Sequence, residues 1–287
     1  MSRIVTFFAA VLLVAPVYAD RLELANGDTI TGRIISMSSD TILIETDYGT
    51  LEVSRAAVIS GAFGLPGDDP DDLLFYFSFN GVLADSVGDY VAANNGMRFA
   101  ADATGLPQAA LRSDGTGTYL SIASSSEIDA LNEFTITFDI RLEDTGTTQY
   151  LISKWTRAES ETADGKFTLQ TAGGNLTLYL VAADGSYHRA TARSVLTEGE
   201  WHSVALTFSR GRSLIYVDGA QVASTRFSFA ELFTDTAPIL VMTAESQTGD
   251  PYAYYNCVGS IDELRLYSRA LSPDEIAAIS TVVLVEE

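Results

Sequence analysis

Between residues 20 and 62, apolar and polar positions alternate in short runs broken by turn residues. Leu22 and Leu24 alternate with Arg21 and Glu23, and Asn26-Gly27-Asp28 follows as a tight turn. TITGRIISM, TILIET, TLEVS and AAVIS continue the pattern, separated by Ser38-Ser39-Asp40 and Asp47-Tyr48-Gly49. Four or five strands in so short a segment predict a small, strongly curved β-barrel over residues 20–62. A core of that size is marginal alone, so the segment is expected to dock on its neighbour or self-associate. The Gly-, Pro- and Asp-rich stretch 63–72 reads as an acidic linker. From 73 to 279 the pattern is strand after strand. FTITFDI puts Phe134, Ile136, Phe138 and Ile140 on one face and Thr135, Thr137 and Asp139 on the other. KFTLQT and NLTLYLV are joined at Ala172-Gly173-Gly174, and WHSVALTF and SLIYVDG at Ser209-Arg210-Gly211-Arg212. Such runs predict an all-β fold, a two-sheet antiparallel sandwich. Only two segments read as helical. Ser126 opens one short turn as its N-cap; SPDEIAAI has Ser272 as N-cap and Pro273 at the first helical position. The β-branched tail, residues 280–287, has the composition of a further edge strand.

Composition narrows the function classes. The 287 residues carry 17 basic against 38 acidic side chains, a formal charge of −21. That balance disfavours a nucleic-acid partner, which needs a basic footprint. In residues 20–62 alone, Arg21, Arg33 and Arg55 face seven carboxylates. A single cysteine, Cys257, excludes a disulfide framework and reads as a buried, inert thiol. Residues 1–19 place Arg3 before an apolar run ending near Pro16, with Val17 and Ala19 as the small residues of a cleavage site. This is the pattern of a signal peptide, too short to span a membrane comfortably, and it predicts an exported protein, periplasmic or secreted. No later segment is long and apolar enough for a transmembrane helix.

The segments LLFYFSFNGVLADSVG, AALRSDGTGTYLSI, FTITFDIRL, YLISKW, GEWHSVALTF, LIYVDGAQVAS and GSIDELRLYSRALSPDEIAAI, in that order, resemble LamG-like jelly-roll domains of the concanavalin A-like lectin/glucanase superfamily. The resemblance covers about 200 residues of the chain and implies a jelly roll over 73–279. The segment LANGDTITGRI through TLEVSRAAVI resembles the Sm-like small β-barrels at the front of exported bacterial proteins. The superfamily resemblance leaves function open, since one fold hosts lectins, adhesion modules and enzymes. It implies non-catalytic recognition of a glycan, or of an envelope or extracellular protein partner. A structural or adhesion protein without sugar binding is the alternative, and a laminarinase-type glycosidase the third.

Three sets of residues carry candidate chemistry. Strict alternation in IDELRLY puts Asp262 with Leu264 and Leu266 on the core side, where a carboxylate must find a cation or several donors. The family resemblance implies one structural calcium ion, with Asp85, Asp114 and Asp262 at the matching positions; turn formation and backbone hydrogen bonding are the alternative. Glu127-Ile128-Asp129 with Glu133 is a near miss of the glycosidase motif, displaced in spacing and preceding a core strand. Tyr252, Tyr254, Tyr255 and Asn256 form an aromatic-polar cluster suited to stacking on sugar rings, and Trp155 is a further ligand candidate. For each of these the alternative is packing within the sandwich. His188 and His202 are assigned no catalysis.

Overall fold

The computed structural model describes residues 20–37, 41–46, 48–62, 72–156, 164–244 and 256–280. The signal-like segment, residues 63–71 and the 281–287 tail lie outside these. Strands β1 (Asp20–Leu24), β2 (Thr29–Met37), β3 (Thr41–Thr46), β4 (Gly49–Ser54) and β5 (Val58–Ala62) form one antiparallel sheet in the order β4-β3-β2-β1-β5. The β1–β2 turn is shaped by Gly27, at φ +88°, and by the Asn26 side chain, which accepts from the Asp28 amide at 3.0 Å. Leu22, Ile42, Ile44 and Val53 make its small core, with Leu24, Ile30 and Val58 packed against it.

The rest is a sandwich of two antiparallel sheets, as the alternation predicts. The first carries β7 (Ala92–Asn95), β10 (Tyr119–Ile122), β12 (Gln149–Thr156), β13 (Asp164–Ala172), β14 (Asn175–Val181), β15 (Tyr187–Ala192) and β19 (Ile239–Val241), in the order β15-β14-β13-β12-β19-β10-β7. The second contains β6 (Leu73–Phe77), β8 (Arg98–Ala100), β9 (Ala110–Asp114), β11 (Phe134–Leu142), β16 (Trp201–Ser209), β17 (Arg212–Val217), β18 (Ala220–Arg226) and β20 (Val258–Tyr267). Its order is β18-β17-β16-β11-β20-β9-β8, with β6 also paired to β20. The main core lies between the sheets. Phe134, Ile136, Phe138 and Ile140 alternate into it from β11, and Leu176, Leu178 and Leu180 meet them from β14. Cys257 is buried in it, and burial pushes its thiol up, away from the reactive thiolate.

The hairpin turns follow the residues that permit them. Gly173-Gly174 and Asp218-Gly219 have positive φ at both central positions, the backbone that two-residue hairpins require. Arg210 and Gly211 do the same between β16 and β17. Gly211 is the tightest of these, because a Cβ there would collide with the carbonyl oxygen of Phe229. Gly211→Ala is therefore expected to cost about 2 kcal/mol or more in urea unfolding, since the φ of +74° is strained for alanine and the carbonyl cannot yield freely. An unchanged midpoint would contradict this.

Helix α1 (Ser126–Asp129) is capped by Ser125, whose hydroxyl accepts from the Ile128 amide at 3.2 Å. The cap is thus one residue earlier than the pattern suggested. Helix α2 (Pro273–Ser280) starts with the expected cap made reciprocal: Glu275 Nα–H donates to Ser272 Oγ, and Ser272 Nα–H donates to Glu275 Oε2. This helix lies on the outer face of the second sheet, over a second core of Leu73, Tyr76, Ala205, Tyr216 and Tyr267.

One strand departs from simple alternation. Glu263 sits at φ +54°, and the β11–β20 register jumps so that Thr137 opposes Arg265 while Asp139 opposes Asp262. This is a β-bulge: one extra residue in β20 reverses the side-chain direction downstream. Asp262 therefore shares the outer face with Asp139, and not the core face with Leu264 and Leu266. The alternation argument for Asp262 is corrected by that single inserted residue.

Candidate functional site

The outer face of the first sheet carries a polar row built by strand register. Arg189, Tyr179, Thr168, Ser153, Leu240 and Ser121 are successive cross-strand partners over six strands. Their chain neighbours Leu178, Leu180, Phe167, Leu169, Ile152 and Ile239 occupy the core, so the period of two turns this row outward. A parallel row holds Thr191, Thr177, Gln170 and Tyr150. Gln170 Nε2 donates to the Tyr179 hydroxyl at 3.3 Å, and the Thr177 and Thr191 hydroxyls meet at 3.1 Å. Tyr179, Tyr150 and Gln170 are half-buried and Arg189 is exposed. The hydroxyls of Ser153 and Thr168 are buried without a hydrogen-bond partner. Those two hydroxyls lie beneath the surface, and the accessible polar groups beside the two phenol rings are those of Gln170, Thr177 and Thr191. Thr177 and Tyr179 in NLTLYLV, and Thr168 and Gln170 in KFTLQT, are the polar alternates of runs whose apolar alternates were recognised. Their alternation was the available signal, but only the register brings them together.

The residues singled out by sequence are placed differently. Tyr252, Tyr254 and Tyr255 lie outside the described residues. Asn256 is buried and its Oδ1 accepts from Thr243 Oγ1 at 2.5 Å, so it serves the fold beneath the surface. Trp155 is half-buried, with its ring laid over Gly165: a Cβ on Gly165 would stand 2.8 Å from the ring.

The three calcium candidates do not form an ion site. Asp85 accepts the amides of Tyr76, Val87 and Tyr90 at 2.9, 3.1 and 3.2 Å, organising the loop after β6. Asp114 holds its own turn through Thr116 and Thr118, and those bonds keep its carboxyl below the ordinary value. Asp262 faces Asp139, and burial raises it well above the ordinary value, reinforced by Glu263 and Asp139. Among the described residues, no three His, Cys, Asp or Glu side chains are grouped as a metal would need. Two of these carboxylates already spend their oxygens on the backbone or turn and the third faces a buried acid; the set does not fit calcium.

The near-miss glycosidase segment is a helical turn, in which alternate residues do not share a face. Glu133 accepts from Ser209 Oγ at 2.7 Å. Asp129 binds Lys154 at 2.8 Å and Ser124 at 2.5 Å. Lys154 also donates to the Ala237 carbonyl at 2.7 Å. The chain's only other lysine, Lys166, is buried nearby as the extra residue of a bulge, donating to the Leu131 carbonyl at 2.7 Å. Burial, then the charge of Lys154, push Lys166 down to about 8. Both lysines therefore tie α1 and the 232–238 loop to the sheet end. His202 is likewise engaged: its Nε2 accepts from the Thr197 amide at 3.0 Å, and its Nδ1 meets Asp218 at 2.8 Å.

Comparison with known proteins bears on fold and family. No curated protein is similar enough in sequence to count as a relative. The binding domain of Paraclostridial Mosquitocidal Protein 1 superposes with a TM-score of 0.59 at 15% identity, covering 74% of this chain and 52% of that one. The botulinum neurotoxin serotype D binding domain gives 0.57 at 14% identity, covering 74% and 52%. The chain thus spans about half the length of these toxin binding-domain chains. The CBM40 of the Ruminococcus gnavus IT-sialidase, bound to α2,3 sialyllactose, gives 0.52 at 17% identity, covering 60% of this chain and 96% of that one. At these identities the likeness is one of fold, a jelly-roll sandwich. The Laminin_G_3 model matches residues 114–277, more than half of the sequence, from the Asp114 turn through α2. The chain belongs to this family of the concanavalin A-like lectin/glucanases superfamily.

Proposed function

We propose that this chain is an exported, non-catalytic binding protein that takes up a saccharide on the outer face of its first sheet. The observation that carries the reading is the register-built pair of rows, with half-buried Tyr179 and Tyr150 beside the amide of Gln170 and the hydroxyls of Thr177 and Thr191. Phenol rings offer flat faces to sugar C–H groups, and amides and hydroxyls match sugar hydroxyls. The carbohydrate-bound CBM40 and the toxin binding domains of the same architecture support a recognition role. In this reading residues 1–19 are removed on export, and the five-stranded N-terminal sheet is an Sm-like small barrel. Its outermost strand β4 begins beside the fully exposed Tyr48 and presents Leu51, an edge without a further strand among the described residues.

The test is retention on an array of bacterial and host glycans, repeated with Tyr179→Ala combined with Gln170→Ala. The double variant is expected to bind at least about tenfold more weakly at unchanged thermal stability, a difference near 1.4 kcal/mol. Retention unaffected by the double change removes this face from the reading. No retention of any glycan leaves the structural or adhesion role.

A further inference from the structure

We propose that Asp139 carries a proton that is the first link of a hydrogen-bond relay ending on α2, so that rising pH releases the last turn of that helix. Asp139 and Asp262 are direct cross-strand partners, both buried, on the outer face of the second sheet. Opposed side chains have Cβ atoms only ~5 Å apart, so two ionised carboxylates there repel strongly. Arg265 is the cation that acts on Asp139, and other groups share it. Arg265 gives Nη2 to Glu263 Oε2 at 2.6 Å and lies 3.9 Å over the Tyr76 ring, whose hydroxyl donates to the same carboxylate oxygen at 2.6 Å.

The relay follows from hydroxyl stoichiometry. Asp139 and Ser203 are direct cross-strand partners of β11 and β16, which sets the Ser203 hydroxyl beside the Asp139 carboxyl. Ser203 Oγ donates to Ser280 Oγ at 3.3 Å, and Ser280 Oγ donates to the Ile276 carbonyl at 2.9 Å. Each serine has one proton to give. When Asp139 is protonated it donates to Ser203, which leaves the Ser203 proton for Ser280. When Asp139 is ionised, Ser203 must donate to it, and Ser280 then either loses its link to Ser203 or keeps it only by withdrawing its proton from the Ile276 carbonyl, so the last turn of α2 loses one contact either way.

The surrounding charges favour the protonated form. Glu263 of β20 and Asp218 of the β17–β18 turn oppose ionisation of Asp139, while Arg265 and the Ser203 hydroxyl favour it, and Asp139 in turn opposes ionisation of Asp262. Asp102 adds to the field on Asp262, and Tyr76 contributes from β6. On neighbouring elements Arg141 stacks on Trp201, His202 is bound to Asp218, and Glu275 of α2 is paired with Arg269. Burial first, then Glu263, push Asp139 up to about 8. A raised carboxyl contributes its stabilisation fully below the ordinary carboxylate value and loses it as pH rises through about 8.

The experiment is amide hydrogen exchange of α2, as protection factors, at pH 6.5 and pH 9. Wild-type protection is expected to fall about tenfold at the higher pH, one unit beyond the titration. Asp139→Asn keeps a permanent donor toward Ser203 and is expected to hold its protection at both pH values. Ser280→Ala, which removes the relay's end without a buried charge, is expected to show low protection and no pH response. Equal falls in wild type and Asp139→Asn, no fall in wild type, or a wild-type pH response retained in Ser280→Ala would each overturn the relay. So would restoration of wild-type protection at pH 9 by added calcium, which would show that an ion holds the pair.

Discussion

Asp129→Ala is expected to lower stability by about 3–5 kcal/mol, because it strands the buried ammonium of Lys154. Lys154 is fully buried, and Asp129 is its only carboxylate partner among the described residues. The remaining acceptors, Ser124 and the Ala237 carbonyl, are neutral. Burial acts to raise the Asp129 carboxyl, yet hydrogen bonds from Lys154 and Ser124 together hold it below its ordinary value. Its stabilisation is therefore present above the ordinary carboxylate value and is lost as pH falls through the lowered one. Urea unfolding at pH 7 measures the loss. Asp129→Leu paired with Lys154→Met should recover most of it, since removing both charges leaves nothing uncompensated. A double variant as unstable as Asp129→Ala would show that the lysine is not the cause. The same experiment separates roles for the Glu-Ile-Asp segment, because a structural anchor loses stability while a catalytic carboxylate loses only turnover.

Phe134→Ala is expected to cost a similar amount, about 3–5 kcal/mol, through a cavity in the main core. Phe134 is fully buried, with ring centroids 5.1 Å from Phe167 and 6.2 Å from Phe208. It thus joins the two sheets where β11 and β13 face each other. A loss of this size is a large share of the stability of an ordinary domain. Phe134→Leu refills much of the volume and should cost clearly less in thermal unfolding. Equal losses for the two variants would mean that the site collapses freely around any replacement.

Much of the fold is legible in local pattern. FTITFDI, NLTLYLV and WHSVALTF each show which face is buried, because a strand turns alternate side chains to opposite sides. Asp218-Gly219 and Ser272-Pro273 mark a turn and a helix start by their own backbone preferences. Asp262 is the instructive failure. Its face depends on the bulge at Glu263, and nothing in IDELRLY announces an extra residue until β11 is laid beside it. Asn256 is a related case: its hydrogen-bond partner Thr243 lies in another part of the chain, so its burial could not be read from its neighbours. The lysines are a third case. Their rarity is visible in composition, but their burial depends on α1 and the 232–238 loop closing over the sheet end.

Taken alone, the order of residues determined the strand content, the positions of the hairpins and of the α2 cap, the identity of the core and the resemblance to a jelly-roll superfamily. These depend on interactions within a few residues, which a linear pattern records. The tertiary structure decided which polar groups share a face. Tyr179, Thr168 and Ser153 meet through hairpin register, and Asp139 meets Asp262 through a single inserted residue. Register and bulges are properties of strand pairs, and a period of two cannot report them from one strand.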